Sequence, residues 1–106
     1  MGPDGHTASL FPNHNLLNET NKLIADITDS PKPPPTRITF TYPLINHADH
    51  VAFVALGEGK ASIVQQVFDT TIPLNEQLPS ARIRQAHGTQ LPTWFMDTAA
   101  CSKLNQ

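Results

Sequence analysis

Hydrophobic and polar positions change their spacing several times along this chain, and each change marks an element. Leu23, Ala25 and Ile27 alternate with polar or small neighbours, the period of a strand. Arg37 to Tyr42 reads Arg-Ile-Thr-Phe-Thr-Tyr, rich in β-branched and aromatic residues, and predicts a second strand. Pro43 fits the first turn of a short helix carrying Leu44, Ile45 and Ala48. Val51 to Leu56 is a continuous apolar run closed by Gly57, the pattern of a parallel strand buried on both faces. Glu58 to Asp69 predicts a helix with Ile63, Val64, Val67 and Phe68 on one face. Thr93 to Met96 predicts a last strand, and Asp97 an N-cap for a helix through Ala99, Ala100 and Lys103. Near the start, Thr7 to Phe11 predicts one helical turn that ends before Pro12.

A strand, a glycine turn and a helix make half of a βαβ unit, so the predicted class is α/β with a mostly parallel sheet. Asp29-Ser30-Pro31-Lys32-Pro33-Pro34-Pro35 interrupts this order. Proline fixes φ and removes backbone donors, so the block favours an extended, stiff path and reads alone as a linker. So few strands make a thin sheet. Apolar surface is expected to remain uncovered, with self-association through the open sheet edge as one consequence.

Composition narrows the function. The chain has 106 residues, 39% of them hydrophobic, enough for a core and too many for simple disorder. Net charge is −2 and no basic run occurs, so nucleic-acid binding has no electrostatic basis. The longest apolar stretch, Val51 to Leu56, is far too short to span a membrane. No signal peptide is visible, and Cys101 is alone, which excludes an internal disulfide and fits a reducing compartment. A cytoplasmic location is expected.

The candidate chemistry sits mostly in loops. Pro3-Asp4-Gly5-His6 is strong turn chemistry. It also offers a general base: imidazole titrates near neutral pH, and Asp4 stands close enough in a tight turn to orient His6. Gly57-Glu58-Gly59-Lys60 is either an ordinary glycine turn or a phosphate anchor, with Lys60 adding a point charge. It is not a nucleotide P-loop, because Val54 and Ala61 stand where that motif needs Gly and Ser or Thr. Arg37 follows the prolines and is either a solvent-facing strand residue or a planar fork for phosphate. Lys32 reads as a solubilising residue. His47, Asp49 and His50 look superficially like metal ligands, but no further ligand pair lies nearby, so no metal site is expected. Ser9 lacks the flanking glycines of an elbow nucleophile. His14 and His87 read as surface residues, Trp94 and Phe95 as core.

Three blocks carry a resemblance to a known family. Gly2-Pro3-Asp4-Gly5-His6-Thr7-Ala8-Ser9-Leu10-Phe11-Pro12 is similar to the central signature of the 6-phosphogluconolactonases. Asp29 to Thr39 and Gly57-Glu58-Gly59-Lys60-Ala61 follow in the family's order, and Trp94-Phe95-Met96-Asp97 resembles its closing segment. The first block is shared in part with glucosamine-6-phosphate deaminases and isomerases. Ser-Leu-Phe-Pro and Asp-Ser-Pro-Lys-Pro-Pro-Pro favour the lactonases.

The resemblance implies a doubly wound Rossmann-like fold and hydrolysis of 6-phosphogluconolactone to 6-phosphogluconate in the pentose phosphate pathway, without metal or cofactor. It implies His6 as catalytic base with Asp4 beside it, and Arg37 and Lys60 around the substrate phosphate. Family members are longer, and the part without a counterpart here is N-terminal. Residues 1–106 are therefore expected to form the C-terminal part of a single lactonase-like domain. Three readings stand: an active enzyme, a non-catalytic sugar-phosphate-binding or interaction fragment, and an amino-sugar-phosphate deaminase-like relative.

Overall fold

A computed structural model describes residues 1–83 and 91–104. The order is β1 (Ile24–Ile27), β2 (Arg37–Phe40), α1 (Tyr42–Ile45), β3 (Ala52–Ala55), α2 (Ala61–Val67) and β4 (Thr93–Met96). Short 3-10 turns cover Asn15–Asn18, Glu58–Lys60, Leu74–Glu76 and Pro79–Arg82. The strands pair as two two-stranded sheets, β1 with β2 and β3 with β4.

The β3·β4 pair is parallel, as the apolar run and its glycine turn predict, and the class is α/β. Phe53 lies opposite Trp94 in this ladder, and their rings stack at 4.2 Å. Phe53 and Ala55 point into the core, while Val54 and Leu56 are each 58% exposed. The strand is thus covered on one face, not both, because α2 packs on one side only. Val64 and Ala61 of α2 are buried there, and Val64 clusters with Ala55 and Ala100. Phe95 also faces outward and is not core, whereas Trp94 is partly buried against both apolar clusters.

The β1·β2 pair is antiparallel, with Ala25 opposite Thr39 and Ile27 opposite Arg37. Ala25, Ile27 and Thr39 face inward; Ile24, Ile38 and Phe40 face outward. The Pro-rich block is not a linker. It is a closed loop between these strands, with Ser30 N donating to Pro35 O at 3.1 Å. Prolines cannot donate, so the loop's carbonyls need an outside donor, and Arg37 supplies it.

Two further expectations change. Thr7 to Phe11 is not a helical turn: Thr7 and Leu10 exchange backbone hydrogen bonds across a tight turn, with Ala8 at φ +48°. Thr39 Oγ1 accepts from Ser9 N at 2.9 Å, which anchors the turn while Leu10 and Phe11 both reach full burial. After β4, Asp97 does cap the next turn, accepting from Ala100 N at 2.8 Å. No regular helix follows, because the later bonds mix four-residue and three-residue spacings.

Candidate active site

The loop at residues 2–6 is closed by its own backbone. Gly2 N donates to His6 O at 2.9 Å, and Gly5 N donates to Gly2 O at 3.0 Å. Gly5 sits at φ +84°, a conformation that favours glycine. A Cβ there would also meet Leu78 Cβ at 3.0 Å.

Asp4 and His6 are brought together as predicted. Asp4 Oδ1 accepts from His6 N at 3.1 Å and contacts His6 Nδ1 directly. Both side chains are partly buried. Burial pushes the Asp4 carboxyl up, but the hydrogen bonds from the His6 ring and backbone outweigh it and hold the group below the usual carboxylate range. With Nδ1–H directed at a carboxylate, the neutral ring keeps its lone pair on Nε2.

Phe11 links His6 to Arg37. Its ring, fully buried, lies 4.8 Å from the imidazole centroid, and the Arg37 guanidinium carbon stands 5.3 Å over the same ring. Arg37 donates to the carbonyls of Lys32, Pro33 and Pro34 at 3.0, 2.8 and 3.0 Å. A longer bond from Arg37 Nη1 reaches Ser9 Oγ at 3.4 Å. Most of its planar fork is therefore committed to the loop, which leaves little of it for an outside anion.

A second candidate group lies past the C-terminal ends of β3 and β4, where parallel sheets bind ligands. Asp97 spans them: its two carboxylate oxygens accept from Gly57 N at 3.0 and 3.1 Å. Hydrogen bonds from Ala100 N and then Gly57 N hold the Asp97 carboxyl below its usual range. The Gly57 N–H is thus already engaged by a carboxylate. Lys60 leans toward the opening loop and donates from Nζ to Met1 O at 2.7 Å.

One placement differs from the sequence reading. His14 is not a free surface residue: Nε2 meets Asp29 Oδ1 at 2.8 Å, and Nδ1 accepts from Leu16 N at 3.1 Å. His87 lies outside the described residues. Among the described residues, no group of three or more His, Cys, Asp or Glu could hold a metal ion, His47, Asp49 and His50 included.

A family description of glucosamine-6-phosphate isomerases/6-phosphogluconolactonase matches residues 1–93. The chain belongs to the glucosamine-6-phosphate isomerase/6-phosphogluconolactonase family. It is 49% identical over 105 residues to a probable chloroplastic 6-phosphogluconolactonase 3 of Oryza sativa subsp. indica, covering 99% of this chain and 32% of that protein. It is 49% identical over 104 residues to the human 6-phosphogluconolactonase, covering 98% of this chain and 39% of that protein. The crystal structure of 6-phosphogluconolactonase from Leishmania guyanensis superposes with a TM-score of 0.76 at 28% identity, over 99% of this chain and 39% of that one. The chain thus spans well under half the length of these relatives.

Within this family member, sequence reasoning missed the residues that hold the loop from outside. Ser80 donates to Gly5 O from both N and Oγ, at 3.0 and 2.8 Å. Tyr42 Oη donates to Pro79 O at 2.7 Å, and burial pushes its phenol well up. A buried serine after a proline carries no motif that would reveal this.

Proposed function

We propose that this chain is the C-terminal part of a single 6-phosphogluconolactonase domain and carries its general base. The reaction is hydrolysis of 6-phospho-D-glucono-1,5-lactone to 6-phospho-D-gluconate. The Asp4–His6 pair, held in a closed loop with Nε2 of the imidazole available, is the observation that carries the reading.

His6 Nε2 takes a proton from water as the water oxygen attacks the lactone carbonyl carbon. The tetrahedral intermediate collapses, and the bond from that carbon to the ring oxygen breaks. The proton returns from His6 to the departing alkoxide, leaving a carboxylic acid that ionises and a free hydroxyl. Asp4 fixes the tautomer and stabilises the imidazolium while it exists. Lys60 meets the substrate phosphate as a point charge. Arg37 contributes its remaining donor capacity at the edge of the Pro-rich loop.

Identity of 49% to the human and rice lactonases supports the substrate assignment. A cytoplasmic location belongs to the same proposal, alongside plant relatives whose names place them in chloroplasts. Among the described residues, no helix is long and apolar enough to cross a membrane. The test is a lactone assay coupled to 6-phosphogluconate dehydrogenase, with spontaneous opening subtracted. A rate above background that disappears in His6→Asn supports the proposal; a parent rate equal to background overturns it for this chain.

A further inference from the structure

We propose that Ser80 is a positioning residue for the Asp4–His6 pair, acting through the peptide unit between Gly5 and His6, with Tyr42 holding Ser80 in place. This rests on the lactonase reading only for its consequence in catalysis.

The argument begins with one carbonyl. Gly5 is buried, and its carbonyl oxygen accepts from Ser80 N at 3.0 Å and Ser80 Oγ at 2.8 Å. Both lone pairs of that oxygen are used, so the direction of the C=O bond is set from outside the loop. The peptide unit is planar, so fixing the Gly5 C=O also fixes the direction of the His6 N–H. That N–H donates to Asp4 Oδ1 at 3.1 Å. The same carboxylate oxygen contacts His6 Nδ1. One rigid plane therefore links Ser80 Oγ to the carboxylate that orients the imidazole.

The 78–80 segment is itself held in two ways. Tyr42 Oη donates to Pro79 O at 2.7 Å, a bond between residues far apart in the chain. Leu78 packs where a Cβ on Gly5 would stand, at 3.0 Å. Ser80 is 2% exposed and Tyr42 8%, so water does not compete for either hydroxyl. A serine needed only to fill this space would not have to aim its hydroxyl at an oxygen that already accepts from its own backbone N–H.

The test follows the Asp4 carboxyl by carbon-13 NMR in the 106-residue chain, because the His6 hydrogen bonds hold that group low. In Ser80→Ala the Asp4 titration midpoint is expected to rise toward the ordinary carboxylate value. Ser80→Thr, which keeps the hydroxyl, is expected to restore it. Tyr42→Phe is expected to move it in the same direction by a smaller amount, and it decides the matter if Ser80→Ala does not fold. In the lactone assay, Ser80→Ala is expected to lower kcat about tenfold with KM within about twofold. An Asp4 midpoint unchanged in a folded Ser80→Ala, or in Tyr42→Phe when the former does not fold, overturns the proposal. A shifted midpoint in a chain that never hydrolyses the lactone leaves the positioning role standing and removes the lactonase reading. Lactone hydrolysis in the parent with both midpoint and kcat unchanged in Ser80→Ala does the reverse.

Discussion

His6 rests on Gly2: a Cβ at residue 2 would stand 2.0 Å from His6 Cε1 and 2.2 Å from Nδ1. The imidazole can occupy its position against Asp4 only because residue 2 has no side chain. Gly2→Ala should therefore move the ring while leaving the buried clusters untouched. A displacement of about 1 Å is expected to lower kcat by about 10²-fold, with stability changed by no more than about 1 kcal/mol. Lactone kinetics and a urea melt on the same sample check both halves.

His6→Asn keeps approximate size and some hydrogen bonding but removes the base. The expected fall in kcat is about 10²-fold or more with KM little changed, the mark of a group acting in the transition state. Retention of full kcat in His6→Asn would assign the base to another residue.

Asp4 gives a pH dependence of stability with a definite sign. Its carboxyl is held below its unfolded value in the folded chain. The stabilisation is therefore present above the unfolded carboxylate pKa of about 3.9 and is lost as pH falls through the lower folded value. Asp4→Asn should remove that stabilisation at neutral pH, cost little below the folded value where Asp4 is already protonated, and so flatten the acid part of the stability profile. Denaturant melts across the acid range measure this.

Arg37 and Lys60 should separate experimentally. Arg37→Ala releases three loop carbonyls and uncovers Phe11, so it should cost about 1–3 kcal/mol of stability as well as raising KM. Lys60→Ala loses one bond to Met1 O and should mainly raise KM for the phosphorylated lactone. Equal KM in Lys60→Ala and the parent would remove Lys60 from phosphate binding.

The outward sheet faces predict self-association. Ile38 is 77% exposed and Phe40 55%, beside a shallow concavity of about 260 Å³ lined by Ala8, Ser9, Ile24, Ile38, Thr39 and Phe40. Val54, Leu56 and Phe95 add a second apolar face. The chain at micromolar concentration should sediment as more than a monomer, and Ile38→Lys with Val54→Lys should shift it toward monomer. Unchanged sedimentation in the double variant would place the contact elsewhere.

Local pattern alone marks the strands at 24–27, 37–40, 52–55 and 93–96, because side-chain period and β-branching act over a few residues. The Asp4–His6 pair is legible for the same reason: two residues in a Pro-Asp-Gly turn can hardly avoid meeting. The family resemblance adds the substrate, which no local pattern contains. Only the tertiary structure decided which face of β3 is covered, that the proline block closes around Arg37, and that Ser80 reaches the opening loop while Tyr42 binds the neighbouring Pro79 carbonyl. Those contacts join residues up to 75 positions apart, and a single carbonyl seeking a donor leaves no periodic trace in the sequence. The register of Gly5 against Ser80 exists only once the core has brought the two segments into contact.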